Sequence, residues 1–267
     1  MPLLDASDAA AVLSLVSWAA DPTVSLELHD RKRRLGAQLA QLVDADVWIW
    51  SSTVINHDIP GDFMTTCVLD GGWRDDNERS TVYEAITSNE LGRDILAPLY
   101  DMMLQGQPRT FLHHEVFNAE SWGSIAARWN PTGFNEFIMS LNPLSPDFSS
   151  NIAFHRRLAR PSYTTRERDL IHLAMGHIPW LHRHGSQSQG SDAVTRLTPR
   201  ERQVLILLLG GDSQRRIAEK LKISEFTVGD YLKQLNRRFR VSSRAELQAR
   251  FYVGDLNNIF GEPKPPV

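Results

Sequence analysis

Cysteine is almost missing from this chain: Cys67 stands alone among 267 residues. That excludes an internal disulfide and any metal site built from clustered thiolates of one chain. Cys67 has no basic neighbour in sequence to favour its thiolate, so a small buried apolar residue is expected there rather than a redox sensor. No apolar run approaches the ~20 residues needed to cross a bilayer. The first residues carry Asp5 and Asp8 where a secretory leader would be basic. The reducing cytoplasm is the expected compartment, with no membrane contact. There is no Gly-rich Lys-Ser/Thr phosphate loop, no Ser nucleophile elbow, no recognisable Cys/His arrangement and no His-Glu-x-x-His pattern. No enzyme activity, metal or cofactor is expected. Repeats and low-complexity tracts are also lacking, so the 42% apolar content is free to build packed cores.

Charge is present but unevenly placed. From Thr195 to Val253 there are 13 Lys or Arg against 6 Asp or Glu, a balance of +7, whereas residues 1–194 hold 15 against 24, a balance of −9. The remaining tail is −1, which gives the whole chain its −3. A basic module is thus joined to an acidic one that nucleic acid would repel.

The basic module reads as four short helices. Thr198, Pro199 and Glu201 form a capping-box start, and Val204, Leu205 and Leu208 share a face. Gly210 and Gly211 stop that helix. A second begins after Asp212 or Ser213, with Ile217, Ala218 and Leu221 inward, and small Ala218 permits close helix crossing. After a turn at Lys222 to Ser224, Ser224 caps a third helix with Val228, Leu232, Leu235 and Phe239 inward. Ser243 with Glu246 opens a fourth, to which Ala245, Leu247, Ala249, Phe251 and Tyr252 supply apolar surface. Two short helices, a tight turn and a longer helix form a unit that can place its last member in a DNA major groove.

The long pattern Leu197-Thr198, Arg200-Glu201, Val204-Leu205, Gly211, Ser213, Ile217-Ala218, Leu221, Ile223-Ser224, Thr227-Val228, Leu232, Val241 and Arg244 resembles the DNA-binding domain of the LuxR/NarL family of bacterial transcriptional regulators. The resemblance implies a helix-turn-helix whose third helix enters the major groove of double-stranded DNA and whose fourth supports a homodimer. It further implies that Thr227 contacts phosphate and that Lys233 faces the groove or backbone. Gly229, Asp230 and Tyr231 depart from the family pattern. Gly229 is expected to remove a side chain from the base-reading surface, and Asp230 to accept from a cytosine amine or to repel phosphate. Lys220, Lys222, Arg237, Arg238 and Arg244, with Ser224 at the cap, are the remaining phosphate candidates.

Residues 1–184 read as an α+β domain, 185–194 as a flexible Gly/Ser/Gln linker, 195–255 as the all-α helix-turn-helix domain and 256–267 as a flexible tail. Helices are expected at 7–19 and about 25–43, with Arg31 to Arg34 as a charged turn. Further helices are expected at about 77–87, 91–104 and 122–129, and one capped by Thr164 and Glu167 carries Leu170, Leu173, Ala174 and His177 on a common side. Strands are expected at 47–50, 63–69, 111–117, 133–141 and 152–155 around a Pro/Ser-rich loop. Flanking helices around an antiparallel sheet resemble a GAF or PAS-like sensor domain. That implies a small-molecule effector held against the sheet or a dimerisation platform. The alternative for this domain is a protein-interaction module with no ligand.

Trp48, Trp50, Phe63, Trp73, Trp122, Trp129 and Phe137 are the candidate walls of an apolar pocket or equally the core of the sheet. His113, Glu115 or Asn135 would be its polar groups. On a strand His113 and His114 would point to opposite faces and could not share a metal. A phosphoacceptor receiver domain is not supported, because the chain opens with helices. The Trp-x-x-x-Tyr and Asp-Pro pattern of acyl-homoserine-lactone binders is also missing.

Overall fold

The computed structural model describes residues 4–56, 62–87, 93–146, 148–182, 197–209 and 212–251. The expected linker and tail, the two stop glycines, Tyr252, and the side chains of Cys67, Asn135, Ala249 and Phe251 lie outside the described residues. The N-terminal part runs α1 (Ala6–Ala20), α2 (Leu28–Leu42), β1 (Val47–Asn56), β2 (Asp62–Gly71), α3 (Asp76–Thr87), α4 (Arg93–Leu104), β3 (Arg109–Leu112), α5 (His113–Val116), α6 (Ala119–Trp129), β4 (Phe134–Ser145), β5 (Phe148–Arg157) and α7 (Thr165–Gly176). The C-terminal part contributes α8 (Pro199–Leu209), α9 (Gln214–Leu221), α10 (Glu225–Phe239) and α11 (Arg244–Phe251).

The five strands form one antiparallel sheet in the order β2-β1-β5-β4-β3. Helices α1, α2 and α7 cover one face, where Leu35, Leu39, Ile152, Phe154 and Leu170 are fully buried. Helices α3, α4 and α6 cover the other. This is an α+β domain, with its antiparallel sheet between two layers of helices. Its first helix is held by an acidic pair: Asp5 accepts from the Asp8 amide at 2.8 Å, and Asp8 accepts from Arg166 of α7 at 2.9 Å. A local cap thereby also fixes the α1 to α7 packing.

Several expectations are corrected by the backbone. The strand read over 111–117 ends at Leu112, because the Glu115 carboxylate accepts from the Leu112 amide at 2.9 Å and closes a helical turn. His113 and His114 therefore sit on α5, with ring centroids 5.2 Å apart rather than on opposite sheet faces. The loop read between 141 and 152 is instead the end of a long β4–β5 hairpin, with an irregular register between Pro143 and Ser145 that accommodates the proline. His177 lies beyond the end of α7 and is exposed, while Leu170 and Ala174 are buried. The basic run on α2 is not one charged turn. Arg31 donates to the carbonyls of Ala19 and Asp21 at 3.0 and 2.8 Å, while Lys32 turns inward, 4% exposed, with its ammonium 4.8 Å from the Trp50 ring centre.

Trp48 is seated between α2 and β2 where side chains are missing: a Cβ on Gly36 would lie 2.7 Å from its ring, and one on Gly71 2.8 Å. At Gly72 the constraint is in the backbone. Its φ is +94°, and a Cβ there would lie 2.0 Å from the Asp46 carbonyl oxygen. Gly72→Ala is expected to destabilise the chain by at least ~3 kcal/mol, because positive-φ strain and a backbone clash act together. An unchanged urea midpoint would refute this account of the β2–α3 turn.

The four C-terminal helices bury Val204, Leu205, Leu208, Ile217, Ala218, Val228, Leu235, Phe239 and Leu247 in one cluster, while Leu232 is half-buried and Ala245 is exposed. Phe148 and Leu144 of the β4–β5 hairpin belong to the same cluster. The hairpin end is thus packed against the helical domain.

Candidate nucleic-acid interface and ligand cavity

The helical domain is arranged around two caps. Ser213 accepts from the Arg216 amide at 3.3 Å and starts α9, which closes at Lys222 in the left-handed conformation, φ 53°. Ser224 accepts from the Thr227 amide at 3.0 Å and starts α10, its hydroxyl lying 2.8 Å from that of Thr227. Val228, Leu235 and Phe239 turn inward, leaving Phe226, Asp230, Lys233, Gln234 and Arg237 along the opposite side. Lys233 is 3.1 Å from Asp230 and 5.8 Å from the Phe226 ring centre. The start of α10 is thus a solvent-facing helix N-terminus, which attracts anions, beside an exposed aromatic ring and two cations.

Some basic candidates are occupied within the domain. Arg244 donates to the Asp212 carbonyl at 2.9 Å, Lys220 pairs with Asp212 at 2.6 Å, and Arg238 pairs with buried Glu201 at 3.3 Å. These contacts fasten α11, α9 and α10 to their neighbours. Lys222, Lys233 and Arg237 are exposed. Gly229 turns toward α9 rather than outward: a Cβ there would lie 3.1 Å from Gln214 Nε2, which donates to the Glu225 carbonyl at 2.7 Å. The glycine makes room for a clamp between the two helices, so no base-reading side chain is missing on its account. Phe226 is not marked by the sequence reading, although a large apolar residue off the 228–232–235–239 stripe is the available signal.

In the N-terminal domain a cavity of about 140 Å³ lies on the sheet face under α3, α4 and α6. Its floor is Ile49 and Ser51 of β1, Phe63 and Thr65 of β2, Phe137 and Met139 of β4, and Ala153 and His155 of β5. Ala85, Leu99, Phe117, Ile125 and Trp129 complete it. His155 is buried against the Trp129 ring, centroids 5.3 Å apart, and burial pushes its pKa down to about 4, so it is neutral at pH 7. Of the expected walls, Phe63, Trp129 and Phe137 line the cavity. His113 and Trp122 stack behind it, 4.0 Å between ring centroids, and Trp73 joins Tyr83 and Phe134 in an adjoining cluster. Trp48 and Trp50 point the other way, into the core under α2 and α7, because strand alternation places them opposite Ile49 and Ser51. Glu115 is tied to α7 by Arg168 and does not reach the cavity. Ser51, Thr65 and His155 are polar lining residues that the sequence does not single out. Among the described residues no group of three or more His, Cys, Asp or Glu is placed to hold a metal ion, and no helix is long and apolar enough to cross a membrane.

A family model, "Bacterial regulatory proteins, luxR family", matches residues 195–250. That segment is a LuxR-type helix-turn-helix domain. The Transcriptional activator protein ExaE of Pseudomonas putida is 42% identical over 64 residues, 24% of this chain and 30% of ExaE, so the chain spans under a third of that relative. Among solved structures, SdiA in complex with octanoyl-rac-glycerol has a TM-score of 0.43 at 15% identity over 92% of this chain and 95% of its own. A crystal structure of Escherichia coli SdiA has a TM-score of 0.40 at 13% identity over 92% and 99%. The GAF domain of an Acinetobacter phosphoenolpyruvate-protein phosphotransferase has a TM-score of 0.41 at 9% identity over 69% and 98%. Likeness at this level does not bear on what the chain binds. In the LuxR-type domain the cap residues Ser224 and Thr227 and the outer residues Asp230, Lys233 and Arg237 come together on α10, with Lys222 just ahead of it, whereas Arg244 is spent on Asp212.

Proposed function

We propose that this chain is a DNA-binding transcriptional regulator whose N-terminal domain adjusts DNA binding in response to a small ligand. The observation that carries the first half is the open outer side of α10: the side chain of Lys233 is 70% exposed and Phe226 is 75% exposed, so the acidic domain does not cover them. The chain would act as a homodimer on a roughly palindromic operator, one α10 per half-site, with phosphate attraction from Lys222, Lys233 and Arg237 and anion binding at the Ser224–Thr227 helix start. Fluorescence anisotropy on genomic fragments is expected to select some of them over random duplex, with affinity falling steeply as salt rises. Equal affinity for all fragments would sink this reading.

The cavity supports a ligand over a partner-only role for the N-terminal domain, since it joins an apolar wall to a few polar groups. Control would run through the β4–β5 hairpin, which shares strands with the cavity floor and packs Phe148 on the helical domain. A ligand that binds unequally to chains with and without that contact would shift the balance between them.

A further inference from the structure

Resting on the ligand-binding reading above, the cavity can be taken further through the chemistry of its walls. Phe63, Phe117, Trp129 and Phe137 supply aromatic surface. Its volume, about 140 Å³, is close to that of apolar protein cavities of roughly 150 Å³ that take up benzene. No Asp, Glu, Lys or Arg is among its described lining residues. An ionised ligand would therefore be stripped of water with no counterion to replace it.

The polar corner has a direction. On the cavity face of the sheet, Asn151 Nδ2 donates to Thr53 Oγ1 at 2.8 Å, and Thr53 Oγ1 lies 3.0 Å from Thr65 Oγ1. Thr53 is 1% exposed, and among the described residues its hydroxyl has these two partners. Since it already accepts from Asn151, its own proton is satisfied only by donation to Thr65. The Thr65 proton is then left for something in the cavity. Asn151 is itself oriented by Ser149, whose hydroxyl donates to its Oδ1 at 2.5 Å. Ser51 lines the same corner, with a long 3.5 Å hydrogen bond to the Asn151 carbonyl. A relay of amide and hydroxyls thus ends in a donor aimed at a small aromatic chamber, beside a second hydroxyl able to accept.

We propose that the cavity binds an uncharged single-ring aromatic molecule, or one equally compact, carrying one oxygen that accepts a hydrogen bond from Thr65. Titration of the full chain, followed by calorimetry and by intrinsic tryptophan fluorescence, tests this with benzyl alcohol, toluene, benzoate and 1-octanol. Benzyl alcohol is expected to bind, toluene about fivefold more weakly for want of the hydrogen bond, and benzoate at least about 100-fold more weakly for its charge. Thr65→Val, which keeps the side-chain shape, is expected to remove the preference for benzyl alcohol over toluene while leaving toluene binding in place. Benzoate binding as tightly as benzyl alcohol, or a preference surviving in Thr65→Val, would overturn the assignment. Binding of 1-octanol alone would overturn the compact-ring class while leaving a ligand-responsive domain intact. Failure of all four probes would overturn the compact-ring class alone, whereas DNA binding is judged separately by the anisotropy measurement.

Discussion

Lys233→Glu is expected to lower affinity for a selected DNA fragment about 100-fold, since a cation beside phosphate is replaced by an anion in the same place. The slope of log affinity against log salt should become shallower by about 1, because one phosphate fewer is neutralised. Lys233 is highly exposed and makes no contact with the core, so the fold is expected to survive the change, and an unchanged urea midpoint checks that it has. Asp230→Asn is the opposite test. Asp230 holds the Lys233 ammonium at 3.1 Å, and removing its charge is expected to strengthen binding to random duplex severalfold while eroding the preference among fragments. If Lys233→Glu and the parent chain bind with the same salt dependence, α10 does not meet DNA through this side.

The second large effect is on stability against pH. Burial pushes the pKa of His155 down to about 4 and that of His182 to about 3, with nearby Lys32 adding to the second. Both side chains are neutral in the folded chain, whereas in the unfolded chain each takes up a proton near pH 6.5. The unfolded state therefore binds more protons as pH falls below 6.5, and stability falls with it down to the folded values. The two histidines together are expected to cost about 3 kcal/mol between pH 7.5 and 5.5, and about 5 kcal/mol by pH 4.5, and His113, pushed down to about 4 by burial and by His114, steepens the same limb. Paired carboxylates such as Glu78, whose pKa is lowered chiefly by its hydrogen bond from Arg157, titrate below this window and leave the upper part to the histidines. Lys32 acts at the alkaline end. Burial lowers its pKa to about 8, so between pH 8 and its unfolded value of 10.5 the unfolded chain holds the extra proton and stability rises with pH. Urea titrations across pH 4.5 to 10 check both limbs, and a flat profile between 7.5 and 5.5 would mean that His155 and His182 are hydrated.

The helical domain was legible because its signals are local. Ser213 and Ser224 cap in the structure as their positions suggest, and the spacing of Val228, Leu235 and Phe239 defines an inner side without help from the rest of the chain. The N-terminal domain was legible in element order but not in sidedness. Residues 148 to 156 of β5 are all buried, because helices cover both faces of the sheet, so period-two alternation leaves no polar side to mark the cavity. Trp48 and Trp50 could thus be recognised as buried without revealing that they face away from Phe137. Lys32 was hidden by its neighbours in Arg31-Lys32-Arg33-Arg34, although it lies three residues before Leu35 on the stripe that includes Leu39. The turn at His113 escaped because one carboxylate, Glu115, competes locally with the strand ladder. Thr53, Thr65 and Asn151 come together only by pairing across three strands, a relation no short window contains.

Phe148 has a consequence for how little force the proposed control would require. The helical domain is joined to the N-terminal domain through residues 183–196, and it also rests on the hairpin through Phe148 and Leu144. Being part of one chain, the two surfaces meet at an effective concentration on the order of millimolar, so even a contact too weak to hold separate molecules together remains made most of the time. Burying Phe148 is itself worth about 1.5 to 3 kcal/mol, so on the ligand-binding proposal an occupant of the cavity floor would have to supply a bias of that order to undo the contact.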